Sequence, residues 1–383
     1  MLDRFLKELN EQAASCPCGN HQPIRMHIVT DHGALAQVTH YLRQRDYHSV
    51  AVVADRNTFA AAGQTLCQAL SREEISFHLC VIQENEWGDV IADEASIVQV
   101  LLEVPKDENP ILAVGAGTIH DIVRFVSYQT DKPFISVPTA ASVDGFTSAG
   151  APLVIRKMKK TVQAAPPAAV FADLDIIGKA PKALNAAGFG DMLGKFTSLA
   201  DWRFSRHMAQ EPFCPLAYQI TKEALFSCIS HIEEIANASA EGLRALTAAL
   251  LKSGLSMLLA RHSRPASGAE HHLSHVWEME LLKENKKQLL HGAKVGVASV
   301  VISELYQKLS RLDAGVTEGF FTGLPDPDQL RRWLRKAGAP ADLEELNISR
   351  EFALQSLKKA HTIRDRYTGL KYMNEHGLDL FQP

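Results

Sequence analysis

Short apolar runs alternate with amphipathic stretches over the first 140 residues, and this alternation constrains the fold more than any other feature. Apolar, partly β-branched runs predict five strands, at 24–29, 49–55, 75–82, 110–115 and 133–138. Helical spacing between them predicts four helices, over 33–46, 57–72, 93–104 and 118–130. Apolar residues at nearly every strand position are typical of strands covered on both faces. The segment therefore predicts an open, Rossmann-like parallel α/β sheet with right-handed crossovers.

The pattern changes after residue 140. Residues 150–180 offer two or three further strands, and beyond Pro181 the sequence is almost wholly helical. A chain of 383 residues is long enough for two domains with buried cores. We therefore predict an α/β domain over residues 1–180 and an all-α domain over residues 181–383.

Composition and charge exclude several classes of protein. The net charge is −4 and basic residues form no long runs, so a nucleic-acid partner is not expected. The most apolar stretch, Ala245 to Ala260, is interrupted by Lys252 and falls short of the roughly 20 residues of a membrane span. The charged N-terminus lacks the apolar core of a signal peptide. These features predict a cytoplasmic protein without a membrane span.

A glycine-containing loop follows the fourth predicted strand, in "ILAVGAGTIHDIVRF". Gly115 and Gly117 end the strand, and Thr118 begins a predicted helix. Glycine permits close approach of a pyrophosphate, and the N–H groups of a helix N-terminus favour negative charge. However, His120 stands where the usual dinucleotide fingerprint has its third glycine. A plain strand–turn–helix connection explains the loop equally well.

Two more predicted strands end in polar residues suited to a ligand. Asp55 ends the second strand, where an acidic residue commonly holds a ribose. The last strand leads into "SVPTAASVDGFTS", which carries Thr139, Ser142, Asp144 and Ser148. Capping of helices and turns is the alternative role for each residue. Because carboxyl ends of parallel strands meet at one edge, the loops together favour a ligand crevice.

Histidines cluster in the helical half. His271 and His275 are four residues apart, hence on one helix face, and His291 opens a later apolar segment. Upstream, Asp191 lies in "GFGDMLGK". One carboxylate and two imidazoles can hold a divalent metal and leave coordination positions open. Alternatively Asp191 caps a helix and the histidines are ordinary core or surface residues. A zinc peptidase is rejected, since its motif needs glutamate where His272 stands.

A second possible metal site lies near the N-terminus, in "CPCGNH". Cys16, Cys18 and His21 are three potential zinc ligands, but no fourth follows at a zinc-finger spacing. A tight turn before the first strand is the alternative. The other cysteines are scattered among apolar neighbours, as buried thiols commonly are: Cys67, Cys80, Cys214 and Cys228.

Several motifs occurring in order resemble one enzyme family. They are "GAGTIHD", "PTAASVDGFTS", "GFGDMLGK", "SRPASGAEHHLSH", "LHGAKVGV" and "RDRYTGL". Together they are similar to the sn-glycerol-1-phosphate dehydrogenases, in particular the bacterial AraM-type branch. That family is grouped with glycerol dehydrogenases, iron-containing alcohol dehydrogenases and dehydroquinate synthase. The resemblance covers about residues 20 to 375 and implies a dehydroquinate synthase-like fold with a cleft between the two domains.

The resemblance implies NAD(H) or NADP(H) as cofactor and assigns residues to it. Asp55 would contact the adenosine ribose. The pyrophosphate would be met by Gly115, Gly117, Thr118 and Asp121. The nicotinamide half would lie along Thr139, Ser142 and Ser148.

The resemblance also implies one divalent metal, nickel or zinc. Its ligands would be Asp191, His271 and His291, with Asp144 contacting substrate and His275 near it. Spacing within the histidine cluster varies among relatives, so His272 or His275 is an alternative to His271 as ligand.

The activity implied is reversible reduction of dihydroxyacetone phosphate, a phosphorylated triose, to sn-glycerol 1-phosphate, a phospholipid precursor. A homodimer or larger homo-oligomer is expected. Cations for the substrate phosphate are proposed by position only, at Lys159, Lys160 and Arg264. Three alternatives remain: a glycerol or polyol dehydrogenase, a dehydroquinate synthase-like carbocycle-forming lyase, and a nucleotide-binding protein without catalysis.

Overall fold

The α/β half is built on one six-stranded parallel sheet. The computed structural model describes residues 2–19, 21–107 and 109–378. The strands of the sheet are β1 His27–Asp31, β2 Ser49–Ala54, β3 Ser76–Val81, β4 Ile111–Gly115, β5 Phe134–Pro138 and β8 Ala169–Asp173. Their order is β1-β8-β5-β4-β2-β3, and every neighbouring pair is parallel. All five strands predicted before residue 140 and the parallel sheet are confirmed.

Helices connect the strands as predicted. They are α2 Gln37–Gln44, α3 Arg56–Thr58, α4 Gln64–Arg72, α5 Glu94–Glu103 and α6 Gly117–Thr130, with π-helical turns over Phe59–Gly63 joining α3 to α4. β4 and β5 are buried at every position. The buried strands agree with the near-continuous apolar character of their sequences, since helices cover both faces of the sheet.

Residues 150–173 form three strands, which belong to two different sheets. β6 Gly150–Ile155 and β7 Met158–Gln163 form an antiparallel hairpin outside the main sheet. β8 returns to the sheet and lies between β1 and β5. An isolated parallel bridge between Val154 of the hairpin and Asp93 connects the hairpin to the segment that precedes α5.

From Leu174 onward, helices and the turns between them make up the described chain. The helices are α7 Leu174–Ile177, α8 Lys182–Leu193, α9 Lys195–Ala209, α10 Pro215–Ser230, α11 Ile232–Ala236, α12 Ala240–Ala260, α13 Ala269–Lys283, α14 His291–Leu312, α15 Ala314–Phe321, α16 Pro327–Lys336, α17 Arg350–Ala360 and α18 Gly369–Glu375. Among the described residues, only α12 is long and apolar enough to cross a membrane, yet 61% of its apolar stretch is buried. That is the packing of a core helix, because a membrane-spanning helix would expose its apolar surface.

The N-terminal helix packs with the helical half. α1 Leu2–Ala14 contributes Leu6 and Leu9 to a core cluster that also contains Leu225 of α10 and Leu255 of α12. β1 and β8 contribute Ile28 and Val170 to the same cluster. The domain boundary near residue 180 stays a prediction, with α1 belonging spatially to the helical side.

Glycines let α8 and α14 cross at backbone contact. A Cβ atom on Gly292 would lie 1.8 Å from the carbonyl oxygen of Ala187, and one on Gly190 would lie 2.4 Å from the carbonyl oxygen of Gly292. No side chain fits between the helices there. The crossing brings the last turn of α8, with Asp191, beside His291, the first residue of α14.

We expect Gly292→Ala to lower the free energy of unfolding by about 1–3 kcal/mol, because its methyl group must force α14 away from α8. Urea denaturation monitored by tryptophan fluorescence measures the change. Gly315→Ala is the matched control, since a Cβ on Gly315 of α15 meets no atom within 4 Å. A Gly292→Ala protein as stable as the Gly315→Ala protein would contradict the close crossing.

Candidate active site

A cavity of about 660 Å³ lies between the carboxyl ends of the sheet strands and the helical half. Its walls come from the loops after β2, β3, β4 and β5, the β6–β7 hairpin, and residues of α8, α12, α13 and α14. Open parallel sheets bind ligands at this edge because several loops converge there. The cavity is large enough for a cofactor and a small substrate.

Asp191, His271 and His291 converge beside the cavity, where the two histidines line its wall and Asp191 is fully buried next to them. Each offers a ligand atom, and the three atoms lie within 4.8 Å of one another. His271 Nε2 is 3.5 Å from Asp191 Oδ1. The residues come from three helices, so only the folded chain assembles them.

Glu270 orients His271. Its Oε1 accepts from His271 Nδ1 at 2.7 Å and from the backbone N–H of Gly268 at 2.6 Å. Its Oε2 accepts from the Thr197 hydroxyl at 2.6 Å. A carboxylate held in this way keeps the proton on Nδ1 and leaves the Nε2 lone pair for a metal. Glu270 was not singled out from the sequence, although it lies in the quoted "GAEHHLSH".

Lys195 supplies a buried positive charge beside the carboxylates. Its Nζ lies 2.8 Å from Asp191 Oδ1 and 2.8 Å from Asp144 Oδ2. Burial opposes ionisation of Asp191, but Lys195 and the two imidazoles hold the pKa of Asp191 well below its usual range. Burial and the neighbouring Asp191 raise the pKa of Asp144. The arrangement keeps Asp191 ionised, as a metal ligand must be.

The donor set fits a divalent ion. His291 Nδ1 is buried and has no hydrogen-bond partner among the described residues. Burial holds the pKa of His291 well below its usual range, so its imidazole is neutral and its lone pair is available. Among the described residues, the only other potential metal-binding group is a cysteine cluster elsewhere. His272 is fully buried but is not part of the converging set.

The loop after β4 forms the middle of the cavity wall. Gly117, Thr118 and Asp121 line the cavity at the N-terminus of α6, while Gly115 lies behind them, where a Cβ would be 2.5 Å from Ile119. Burial raises the pKa of Asp121 to about 7 despite its ion pair with Arg124. The N–H groups of this helix start favour a negatively charged group.

His120 accounts for the missing third glycine. Its Nδ1 contacts the Ala116 carbonyl oxygen at 2.9 Å, and its Nε2 contacts the Ser136 hydroxyl at 2.8 Å. Burial lowers the pKa of His120 to about 3, so the ring is a neutral member of the helix–sheet contact. The helix therefore packs on the sheet through a hydrogen-bonded imidazole instead of a glycine.

The remaining predicted cofactor residues divide into two groups. Asp55, Ser142 and Ser148 line the cavity, whereas the buried Thr139 is not among the lining residues. Asp55 also caps α3 by accepting from the Thr58 N–H at 2.7 Å. Its capping role and its position at the cavity are compatible, because a carboxylate has two oxygens.

Asp144 and His275 lie on the cavity wall near the converging Asp191, His271 and His291. Asp144 Oδ2 accepts from the Ser253 hydroxyl at 2.8 Å as well as from Lys195. The His275 ring centroid is 5.9 Å from that of His291 and 6.2 Å from that of His271. Burial and the charge of Arg364 hold the pKa of His275 well below its usual range.

Arg364 is a cavity residue that the sequence analysis did not identify. Its guanidinium donates to the hydroxyls of Ser263 at 3.3 Å, Ser267 at 3.2 Å and Thr161 at 3.0 Å. Arg364 forms no ion pair with a carboxylate of the described chain, and burial lowers its pKa to about 10 although the charge of Glu270 opposes this. A half-buried guanidinium whose direct partners are uncharged hydroxyl groups is suited to an anionic ligand.

Of the three cations proposed for a phosphate, the structure brings one to the cavity. Lys159 lines it, two residues from Thr161 on the same face of β7, and pairs with Glu278 at 2.6 Å. Lys160 points along the other face of the strand. Arg264 pairs with Glu211 at 2.5 Å outside the lining residues. In the sequence, Arg364 is marked only as the first residue of the family motif "RDRYTGL", and the resemblance assigns no role to that motif.

Comparison with known proteins places the chain in a family. The family model for iron-containing alcohol dehydrogenases matches residues 29–181. A glycerol-1-phosphate dehydrogenase [NAD(P)+] of Geobacillus thermodenitrificans is 48% identical over 398 aligned positions, covering 98% of each chain. The enzyme of the same name from Bacillus subtilis is 46% identical, covering 92% of each chain.

A solved structure agrees with the fold. Glycerol dehydrogenase from Schizosaccharomyces pombe superposes with a TM-score of 0.70 at 20% identity, covering 91% of this chain and 84% of that one. At this identity the likeness concerns architecture alone. The near-complete coverage by relatives of much higher identity decides the family: the chain belongs to the glycerol-1-phosphate dehydrogenases.

Proposed function

We propose that the protein catalyses the reversible, NAD(P)H-dependent reduction of dihydroxyacetone phosphate to sn-glycerol 1-phosphate. The observation that carries the proposal is the shared cavity. Its lining includes a helix N-terminus after β4, His271 and His291 of the converging set, which Asp191 completes from within the helical half, and the half-buried guanidinium of Arg364. A nucleotide, a ketone and a phosphate each find a complementary group there. The names of the most similar relatives support the same activity.

We propose Asp191, His271 and His291 as the ligands of one divalent ion, nickel or zinc. When bound, such an ion acts as a Lewis acid that favours negative charge on a carbonyl oxygen. The chain contributes by fixing the three donors on separate helices. Glu270 holds His271 in the tautomer that leaves Nε2 free to bind the ion. The positive charge of Lys195 balances the negative charge of the neighbouring carboxylates.

NAD(H) or NADP(H) is the proposed cofactor. Gly117 and Thr118 would approach the pyrophosphate, with Gly115 allowing the turn behind them and Asp121 beside it. Asp55 would hold the adenosine ribose, while Ser142 and Ser148 would lie along the nicotinamide half. Thr139 supports the loop from behind, since its backbone N–H donates to the Gly115 carbonyl at 3.0 Å.

His275 and Asp144 are proposed to act on the substrate. Arg364 has only donor groups, so its contact of 3.5 Å with His275 Nδ1 leaves the imidazole proton on Nε2. From that atom His275 can donate to the substrate oxygen as it gains charge. Asp144, fixed by Ser253 and Lys195, would accept from a substrate hydroxyl.

The phosphate is proposed to bind Arg364, with Lys159 adjacent. We expect Arg364→Met to lower kcat/KM for dihydroxyacetone phosphate roughly 10–100-fold, since it removes a charge-assisted contact worth about 1.5–3 kcal/mol. For unphosphorylated dihydroxyacetone, the same substitution should change kcat/KM little. NADH oxidation measured with both ketones gives the comparison.

Arg264→Met is the matched control, because Arg264 is a partly buried cation that lies outside the cavity. It should leave the preference between the two ketones unchanged. Faster turnover of dihydroxyacetone than of dihydroxyacetone phosphate by the wild-type protein would contradict the proposed substrate and favour a polyol dehydrogenase. An absence of net NADH oxidation with either ketone would favour the lyase or the non-catalytic alternative.

The homo-oligomer and the cytoplasmic location stay predictions. One surface feature supports an oligomer: α5 exposes Val98 to 51% and Leu102 to 81%. Adjacent large apolar side chains on one helix are typical of a surface covered by a partner.

A further inference from the structure

Three thiols and an imidazole converge outside the catalytic cavity. Cys16, Cys18 and His21 come from the segment between α1 and β1, and Cys214 immediately precedes α10. One ligand atom from each lies within 4.8 Å of all the others. None of the four lines the cavity. The fourth donor that the local sequence lacked is thus supplied 193 residues after His21.

Two of the separations match the edges of a zinc tetrahedron, and the two that involve Cys18 are shorter. Zn–S bonds of about 2.3 Å and Zn–N bonds of about 2.0–2.1 Å place ligand atoms roughly 3.8 Å apart for two sulfurs and roughly 3.5 Å apart for sulfur and nitrogen. Cys16 Sγ is 3.8 Å from Cys214 Sγ, which is 3.5 Å from His21 Nε2. Cys18 Sγ is closer, at 3.2 Å from Cys16 Sγ and 2.9 Å from His21 Nε2. Cys18 is the exposed member, so it is free to move outward by the small amount required.

Surrounding groups orient these donors. His21 Nδ1 lies 3.1 Å from the carbonyl oxygen of Leu259, which holds the ring proton there and leaves Nε2 as a lone-pair donor. The backbone N–H of Ala217 donates to Cys214 Sγ at 3.3 Å. Cys214 is also the N-cap residue of α10, so the start of that helix fixes its position. Such outer contacts are typical of built metal sites.

The thiols of the cluster differ from the isolated cysteines of the chain because they lie within contact distance of one another and of His21. Cys67, Cys80 and Cys228 are buried thiols that belong to no such group. A disulfide would use two of the three clustered thiols and leave the imidazole without a role. A metal ion uses all four groups.

We propose that Cys16, Cys18, His21 and Cys214 bind one structural zinc ion. Three sulfurs and one nitrogen in a closed tetrahedral set are the donors that zinc takes in structural sites, with no open position for chemistry. The ion fastens the segment between α1 and β1 to α10. Through His21 the ion would also restrain the end of α12, because His21 Nδ1 contacts the Leu259 carbonyl oxygen. Leu258 and Arg261, which lie on either side of Leu259, line the catalytic cavity.

The experiment counts zinc in full-length protein whose catalytic site has been disabled. Asp191→Asn removes a proposed catalytic ligand, so that zinc retained after purification with a thiol reductant reports the cysteine cluster. We expect one zinc per chain in Asp191→Asn, and none when Cys16→Ser is added. Cys67→Ala is the matched control because Cys67 is a buried thiol outside the cluster, and it should leave the zinc in place. Asp191→Asn protein without zinc, or zinc that survives Cys16→Ser, would overturn the proposal.

Two measurements on wild-type protein keep the test independent of folding defects in the variants. Cobalt(II) exchanged into the protein should give thiolate-to-cobalt charge-transfer absorption, which the carboxylate and imidazole ligands of the catalytic site cannot produce. Cys16 and Cys18 should react with a disulfide reagent only after a chelator has removed the ion. Absence of the charge-transfer band, immediate reaction of both thiols in zinc-replete protein, or a disulfide within the cluster by mass spectrometry would refute a zinc site.

Discussion

Replacing Asp191 with asparagine is expected to abolish activity, with kcat/KM for dihydroxyacetone phosphate falling at least roughly 10³-fold. The carboxamide keeps the shape of the side chain but loses the negative charge that a divalent ion requires. A Lewis acid contributes several kcal/mol to stabilising charge on a carbonyl oxygen, and each 1.36 kcal/mol is about tenfold in rate. Folding should survive, because Lys195 retains its ion pair with Asp144. Metal content per chain should fall by one ion relative to wild type.

The matched control for this prediction is His272→Asn. His272 adjoins His271 in sequence and is equally buried, but both of its ring nitrogens lack partners in the described structure and it does not line the cavity. It should retain the ion and activity within a few-fold of wild type. Loss of metal in His272→Asn, together with full metal and activity in Asp191→Asn, would show that the ligand set is wrong.

Lys195→Met should destabilise the metal-free protein by about 3–5 kcal/mol, the usual cost of removing one member of a buried ion pair. Nζ of Lys195 is fully buried and contacts both Asp144 and Asp191 at 2.8 Å. Without it, two buried carboxylates face each other uncompensated. A divalent ion should restore part of the loss, so saturating metal should stabilise Lys195→Met more than wild type.

Urea denaturation with chelator and with added metal measures both effects of this substitution. Lys283→Met is the control for removing a lysine, since Lys283 pairs with Glu280 at 3.4 Å on the surface. Its free energy of unfolding should stay within about 0.5 kcal/mol of wild type. If Lys195→Met matched wild type in chelator, Lys195 would not be the counter-charge of the two carboxylates.

Much of the fold was predictable from local pattern. Buried parallel strands require continuous apolar runs, and their crossover helices require an apolar stripe, so both are visible in the sequence. The sheet to which each strand after residue 150 belongs could not be predicted from the sequence. β6 and β7 pair with each other, whereas β8 inserts between β1 and β5, and neither choice leaves a periodic signal.

The site was predictable where its motifs are compact and hidden where it depends on distant contacts. The resemblance of the motifs to a known family implies Asp191, His271 and His291 as the set, with His272 or His275 as alternatives to His271, and the structure brings the first three together. Lys195 and Arg364 look like ordinary surface cations in sequence, because only the fold buries Lys195 and brings Arg364 to the cavity. For the same reason the local sequence of Cys214 predicts only a buried thiol, and the fold alone brings it to Cys16, Cys18 and His21.

Anomalous diffraction from crystals grown with zinc or nickel tests the central claim most directly, because it locates the ion without reference to activity. The account predicts an ion about 2.0–2.2 Å from one Asp191 oxygen and one nitrogen each of His271 and His291. An anomalous peak confined to the cysteine cluster, or anywhere else beyond coordinating distance of those three side chains, would contradict it.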